Sequence, residues 1–410
     1  MIQGTAILND MNIMNMRRAA NWVGTMESIV TENGIALPFS TKAKEYAVST
    51  PYIQAPFQAA GHGSPIVAMR ETREQLEDAL LAAGATRATG AGNRRTPEAP
   101  DRERTCFERD RDRIIHSAAF RRLAGKTQVF IFPEDHQRTR LTHALEVAQV
   151  ATAISRAASL NISLTEAIAL GHDCGHGPGG HASEDALSTF LPEGFDHAPW
   201  GADVTLSPLN LCAETLDGIR NHSWTRPSPG TVEGMVVRWA DRCAYCAHDL
   251  EDAARSGIVS LDWLPRSVRE VAGVTRSQQL NTFIGDIIGC IRTKGVVGMS
   301  PEVAHALGEL RHFNYEYIYN RKESVDQGKI VIEMLQSLVN YFIEHPEEMT
   351  HDISGDNNHR HYKRYSSYPT DESIARRAVS YVAMMTDRFA FNLAIEKLGW
   401  TQSTLPSSVS

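Results

Sequence analysis

Three histidines and an aspartate crowd ten residues of this 410-residue chain: His172-Asp173, His176 and His181, within the stretch TEAIALGHDCGHGPGGHASEDAL from Thr165 to Leu187. An imidazole nitrogen beside a carboxylate oxygen suits a borderline to hard divalent cation. A single His-Asp pair at a helix end is ordinarily a satisfied core pair. Here Gly175, Gly177, Gly179 and Gly180 let backbone and ligand approach closely, which favours a site over a core pair. Upstream, His143 follows Arg140 by three residues, so on a helix both project from one side. A cation and a candidate metal ligand on one face suit phosphate binding. Downstream, Asp241, Tyr245 and Asp249 recur every fourth residue and line one helical stripe. Carboxylates on an otherwise apolar helix cost on the order of several kcal/mol unless paired or bound to a metal. Arg121, Arg122 and Lys126 form a cationic cluster with a use beside phosphate chemistry, whereas Cys243 and Cys246 read as ordinary helix residues.

The elements that must position these residues are helical. Ala167–Leu170 is an apolar helical run into His172. Leu141, Ala144, Leu145, Ala148 and Ala151 or Thr152 trace the face beside His143. Thr231–Arg255 is one long helical pattern, Asn210–His222 a shorter one, and residues 260–345 continue as helices with short connections. Ile374–Leu398 reads as one intact amphipathic helix. Residues 66–84 predict a helix, with Leu76 and Leu80 one turn apart and Gly84 as its terminator. The Gly, Ala, Thr and Pro content of Ala85–Pro100 predicts a linker. Glu108–Arg113 reads as a solvated, ion-paired helix face, and Thr127–Phe132 as a short extended piece ended by Pro133. Glu347–Ser373 reads as a polar loop with His351, His359 and His361 at the surface. Alternating strands are absent, so the expected fold is all-α.

Composition narrows the class further. A net charge of −8 argues against binding nucleic acid by bulk electrostatics, although a local basic face stays open. Six scattered cysteines point to a reducing compartment. The first residues lack a signal-peptide pattern and no apolar run approaches ~18 residues, so a soluble, cytoplasmic protein is expected.

These residues resemble the HD-domain phosphohydrolases, and more narrowly the deoxynucleoside triphosphate triphosphohydrolases of the deoxyguanosine triphosphatase type. The resemblance is carried by RDRDRI at Arg109–Ile114 with His116-Ser117, AFRRL at Ala119–Leu123, KTQVF at Lys126–Phe130 and RLTH at Arg140–His143. It continues through HDCGHGPGGH at His172–His181, GFDH at Gly194–His197, Leu209-Asn210-Leu211 with Glu214-Thr215-Leu216, Ala240-Asp241 and MTDRFA at Met385–Ala390. It spans roughly Arg102 to Leu398. The family usually has Leu where this chain has Cys174, a Pro-Pro-Phe-Gly-His ending where it has Gly177-Pro178-Gly179-Gly180-His181, and Asn at Ala198.

The resemblance implies an HD-type helical domain over 101–400 with additional helices, a tail over 401–410, and an N-terminal extension and linker over 1–100 without assignment. The implied metal ligands are His143, His172, Asp173 and Asp241. The implied cation is Mn²⁺ or Mg²⁺, with Fe²⁺, Co²⁺ and Zn²⁺ as further candidates. The implied reaction converts a 2′-deoxynucleoside triphosphate to deoxynucleoside and inorganic triphosphate. In it His181 transfers the proton, Glu184 orients the His181 ring and raises its pKa, and His176 and His197 contact phosphate. Arg140 and Arg242 hold the triphosphate, while Gln128, Tyr245, Asp249 and Tyr319 surround the sugar. A homo-oligomer and a dNTP or single-stranded DNA effector are further expectations. Two rival readings share parts of the pattern: an HD phosphohydrolase on another nucleotide phosphoester, and a nucleotide-sensing protein that binds nucleic acid.

Overall fold

The computed structural model describes residues 68–131, 133, 136–349 and 373–406, and all that follows concerns the unit Ala68–Ser410. Its α-helices run in chain order α1 Arg70–Leu80, α2 Cys106–Ile115, α3 Ala118–Arg122, α4 Arg140–Ala157, α5 Ile162–Gly171, α6 Ala182–Ser188, α7 His197–Trp200 and α8 Ala213–Arg220. They continue as α9 Val232–Arg255, α10 Arg266–Val271, α11 Arg276–Lys294, α12 Pro301–Asn314, α13 Lys322–Glu344, α14 Ile374–Ala383 and α15 Asp387–Leu398. Apart from the isolated bridges Arg94–Cys212 and Thr127–Thr139, the described residues contain no strand pairing, and the fold is all-α.

The chain is organised around α5. Its sequence is apolar on nearly every side, and a helix of that kind must be enclosed. Leu164, Ala167, Ile168, Ala169 and Leu170 are buried as α2, α4, α8 and α9 pack around them. The Asn161 side chain caps its start by accepting from the Leu164 amide at 3.1 Å. Thr231 caps α9 in the same way, accepting from the Gly234 amide at 3.0 Å. A second apolar cluster joins α6, α13, α14 and α15 around Leu187, Val331, Leu335, Val379 and Phe391. The His172–His181 segment connects α5 in the first cluster to α6 in the second, so the chemistry-bearing residues sit where the two cores meet.

Several expectations are corrected by packing. Ala85–Pro100 is not a free linker: Ala85 and Ala88 are buried, and Thr86 donates to Glu233 through its amide at 3.0 Å and its hydroxyl at 2.8 Å. Arg94 donates to Asp110 at 2.6 Å and to the Asn210 carbonyl at 2.6 Å, which anchors the stretch to α2 and to the turn that precedes α8. Asp110 therefore leaves the solvated face. It is fully buried and also accepts from the Cys212 amide at 2.8 Å and the Thr215 hydroxyl at 2.7 Å, the pairing a buried carboxylate needs. On α4, Leu145 is 50% exposed, whereas Val147, Val150 and Ile154 are buried, because the helix is sandwiched between α5 and α9. Leu76 and Leu80 of α1 likewise face outward. Asn210–His222 shortens to α8, with Asn210 left-handed at φ 51°. Residues 127–131 form no strand beyond the Thr127 bridge. Ile374–Leu398 is broken at Met384–Thr386, where Thr386 caps α15. His351, His359 and His361 lie outside the described residues, as does Phe132.

Candidate active site

Three mutually packed helices bring four ligand-type side chains together. The His172 Nδ1 donates to the Ala169 carbonyl at 2.6 Å, one turn back on α5. This fixes the tautomer and leaves Nε2 as a lone-pair donor. That Nε2 is buried and has no hydrogen-bond partner. It stands 3.4 Å from Asp173 Oδ1 and 3.7 Å from Asp241 Oδ1. From α4, the His143 Nε2 stands 3.1 Å from Asp241 Oδ1 and 3.9 Å from Asp173 Oδ2. Burial alone would raise the Asp173 carboxyl, but the facing His172, Arg140 and His176 hold it well below the ordinary carboxylate range. Asp241 is likewise raised by burial, yet the hydrogen bond from His143 outweighs this and brings it to about 2. Among the described residues His143, His172 and Asp241 form one group whose donor atoms could hold a divalent cation, and Asp173, beside His172, joins an adjoining group with His172 and His222.

Arg140 sits one turn before His143 and is buried. Its Nη1 donates to Asp173 Oδ2 at 2.8 Å, while Nε and Nη2 have no partner. Gly180, at φ +63°, is what makes room for it: a Cβ there would stand 3.0 Å from Arg140 Nη2 and 3.2 Å from the Thr127 carbonyl. Gly175 serves a different approach, because its Cβ would fall 2.0 Å from the His197 carbonyl oxygen. The two segments carrying His176 and His197 can therefore close on each other. Their rings stack at 3.7 Å, and His176 Nε2 is 3.3 Å from Asp173 Oδ1.

The Tyr245–Asp249 stripe of α9 also gains partners from other helices. Tyr319 donates to Asp249 Oδ2 at 2.6 Å, and Asp249 Oδ1 is buried without a partner. Burial pushes the Asp249 carboxyl up to about 7. The Tyr245 hydroxyl accepts from Arg311 Nε at 3.1 Å, and burial raises its phenol. The Arg242 guanidinium lies 3.8 Å over the Trp224 ring with its Nε unpartnered. Gln128 Oε1 is buried and unpartnered as well. Cys243 and Cys246 are fully buried inside α9, and among the described residues neither belongs to a group that could hold a metal.

Residues 140–246 match the HD domain and residues 297–395 the phosphohydrolase-associated domain. A deoxyguanosinetriphosphate triphosphohydrolase-like protein of Caldanaerobacter subterraneus subsp. tengcongensis is 40% identical over 332 residues, covering 78% of this chain and 93% of that protein. Proteins of the same description from Clostridium perfringens (strain 13) and Desulfatibacillum aliphaticivorans are 40% and 37% identical, over 79% and 78% of this chain and 96% and 95% of theirs. The chain belongs to this family. It is an HD-domain hydrolase, and the matched HD segment contains all four cluster residues, His143, His172, Asp173 and Asp241. A solved structure of a hypothetical protein from Aquifex aeolicus aligns with 72% of this chain and 69% of its own at 16% identity and a TM-score of 0.40.

Within this family site, one expected contact is redirected. Glu184 does not orient His181. Its carboxylate bonds His197 Nδ1, because α6 starts at Ala182 and turns Glu184 toward the first residue of α7. His181 is left at the rim, open to solvent, its ring 5.3 Å from that of His176. The facing Arg140 and His197 charges act to lower its pKa and not to raise it, so the expected rise does not occur. Sequence reasoning also missed His222. Its Nδ1 donates to the Ile219 carbonyl at 2.8 Å, its Nε2 lies 3.2 Å from His197 Nε2, and its ring is 4.8 Å edge-on to His172. In sequence it passes as an ordinary residue ending a short helical pattern. Trp224, in a Pro-rich loop, and Arg311, in a stretch read only as helices with short connections, were missed for the same reason.

Proposed function

We propose that the protein hydrolyses 2′-deoxynucleoside triphosphates to deoxynucleoside and inorganic triphosphate. The observation that carries this reading is Arg140. Its two unpartnered buried N–H groups adjoin a four-ligand cluster, and a phosphate oxygen is the natural acceptor for them. A divalent cation held by His143, His172, Asp173 and Asp241 would polarise the α-phosphoryl group and acidify water. Arg140 neutralises phosphate charge, with His176, His197 and Arg242 as further contacts along the chain of phosphates. Expelling the 5′-oxygen requires a proton, a role this reading assigns to His181. The negative charge of an arriving triphosphate beside its ring favours protonation. Glu184 acts on His197, holding that ring stacked against His176 beside the cluster. Tyr245, Asp249, Tyr319 and Gln128 surround the sugar, with the free Asp249 oxygen available to a 3′-hydroxyl.

The relatives' descriptions make dGTP the first substrate to test. The family resemblance also supports a cytoplasmic homo-oligomer with a dNTP or single-stranded DNA effector. No helix among the described residues is long and apolar enough to cross a membrane. The deciding assay incubates the four dNTPs, singly and mixed, with Mg²⁺ or Mn²⁺ and identifies the phosphate product. Inorganic triphosphate is expected. Release of pyrophosphate or orthophosphate would favour another phosphoester activity, and binding without turnover a sensor.

A further inference from the structure

The break between α14 and α15 interrupts an amphipathic pattern that runs through it, and Thr386 caps the helix that resumes. What the break makes available is a carbonyl and a carboxylate, and both are used by the segment that carries His176 and His181. In a continuous α-helix the Ala383 carbonyl would accept from the amide of residue 387. Here it accepts from Lys126 Nζ at 2.9 Å, and the same ammonium also donates to the His176 carbonyl. Asp387, now in the first turn of α15, is buried. Its Oδ1 accepts from the Gly179 amide at 2.9 Å. Its Oδ2 accepts from the Thr127 amide at 2.9 Å and from the Thr127 hydroxyl.

Both carboxylate oxygens are thus spent on two segments more than two hundred residues away in sequence, one of them the glycine turn leading into His181. That turn is closed from its other side too. Gly179 is left-handed at φ +73°, and a Cβ on it would meet Val331 Cγ1 of α13 at 2.5 Å. The adjoining Gly180 abuts Arg140. A backbone with so many glycines has no conformational preference of its own, so its shape has to be imposed by what it bonds.

We propose that Asp387 is a positioning residue, whose carboxylate, delivered by the α14–α15 break, fixes the Gly177–Gly180 turn and so sets where His176 and His181 stand relative to the metal cluster. On this view the phosphohydrolase-associated segment, which includes Asp387, is part of the site's construction. The proposal rests on the hydrolase reading above for its effect on rate, but its structural part can be tested separately.

The test uses full-length, metal-loaded protein. Asn at position 387 keeps the shape but offers one acceptor and sets an NH₂ against an N–H donor. Asp387→Asn is expected to lower kcat for dNTP hydrolysis roughly 10–100-fold, the usual effect of removing a group that orients active-site residues. KM, bound metal and helical circular dichroism should change little, while amide hydrogen exchange across residues 175–181 quickens. Thr127→Val, which removes one donor to the carboxylate, should show a smaller change in the same direction and stands in if Asp387→Asn does not fold. Glu396→Gln, exposed on α15, should change neither readout. Unchanged kcat in folded Asp387→Asn, or a loss of kcat with unchanged exchange in the turn, overturns the proposal. If the wild type releases no triphosphate, the functional reading fails, and the exchange data alone still decide whether Asp387 holds the turn.

Discussion

Replacing Arg140 by Lys keeps a positive charge on α4 and removes the geometry that the structure singles out. The guanidinium spends Nη1 on Asp173 at 2.8 Å and has Nε and Nη2 buried without partners. Two N–H groups held in a rigid fork match phosphate in a way one ammonium does not. A hydrogen bond to a charged group contributes about 1.5–3 kcal/mol, so losing two removes about 3–6 kcal/mol before relaxation. At about 1.4 kcal/mol per tenfold, kcat/KM for a dNTP should fall roughly 10²–10⁴-fold. The assay is the initial rate of triphosphate release across substrate concentration, with bound metal measured on the same samples because Asp173 also loses its partner. Should Arg140→Lys keep kcat/KM within about tenfold of wild type with its metal in place, the two free N–H groups do not bind phosphate and the functional reading loses its main support.

His181→Ala should retain metal and nucleotide binding and lose roughly 10²–10⁴ in kcat. If affinity for a non-hydrolysable dNTP collapses instead and the rate per bound complex does not, His181 holds phosphate rather than transferring a proton. Tyr245→Ala should narrow the preference for deoxyribose. An added 2′-hydroxyl facing the tyrosine ring is left unsatisfied at about 1–3 kcal/mol, and rates with one base on both sugars measure the ratio before and after. Equal use of ribo- and deoxyribonucleotides by the wild type would remove that role. For the N-terminal segment, a chain beginning at Ala68 should fold, whereas one beginning at Asp101 loses the buried Arg94–Asp110 pair and the Thr86 bonds to Glu233. Breaking a buried pair costs about 3–5 kcal/mol, so thermal melts should show the shorter chain strongly destabilised. Equal melting temperatures would mean that residues 68–100 are dispensable.

The His/Asp cluster that could hold a cation and Arg140 were legible because their residue types are scarce on apolar helices and their spacings belong to known helical faces. The continuous patterns of α5 and α9 placed His172, Asp173 and Asp241 at positions that packing could only bring together. Composition misled at Ala85–Pro100. Gly, Thr and Pro there indicate absence of helix, which says nothing about whether an irregular segment lies in solvent or is pinned by a buried arginine. Charge alternation misled at Asp110 in a similar way, since a carboxylate reads as exposed until Arg94, Cys212 and Thr215 arrive from elsewhere in the chain.

What the sequence alone determined is local. It set which stretches are helical, because periodicity and caps act within a few turns, and which side chains can ligate a cation, because that follows from donor type. Tertiary structure decided the pairings between remote segments: Glu184 with His197 and not His181, His222 beside His172, Arg311 on Tyr245, and the end of α14 at a position where the amphipathic pattern continues. Each of these is a choice between partners of equal chemical suitability, made by which helices pack together. That packing depends on the whole apolar core, and no window of sequence contains it.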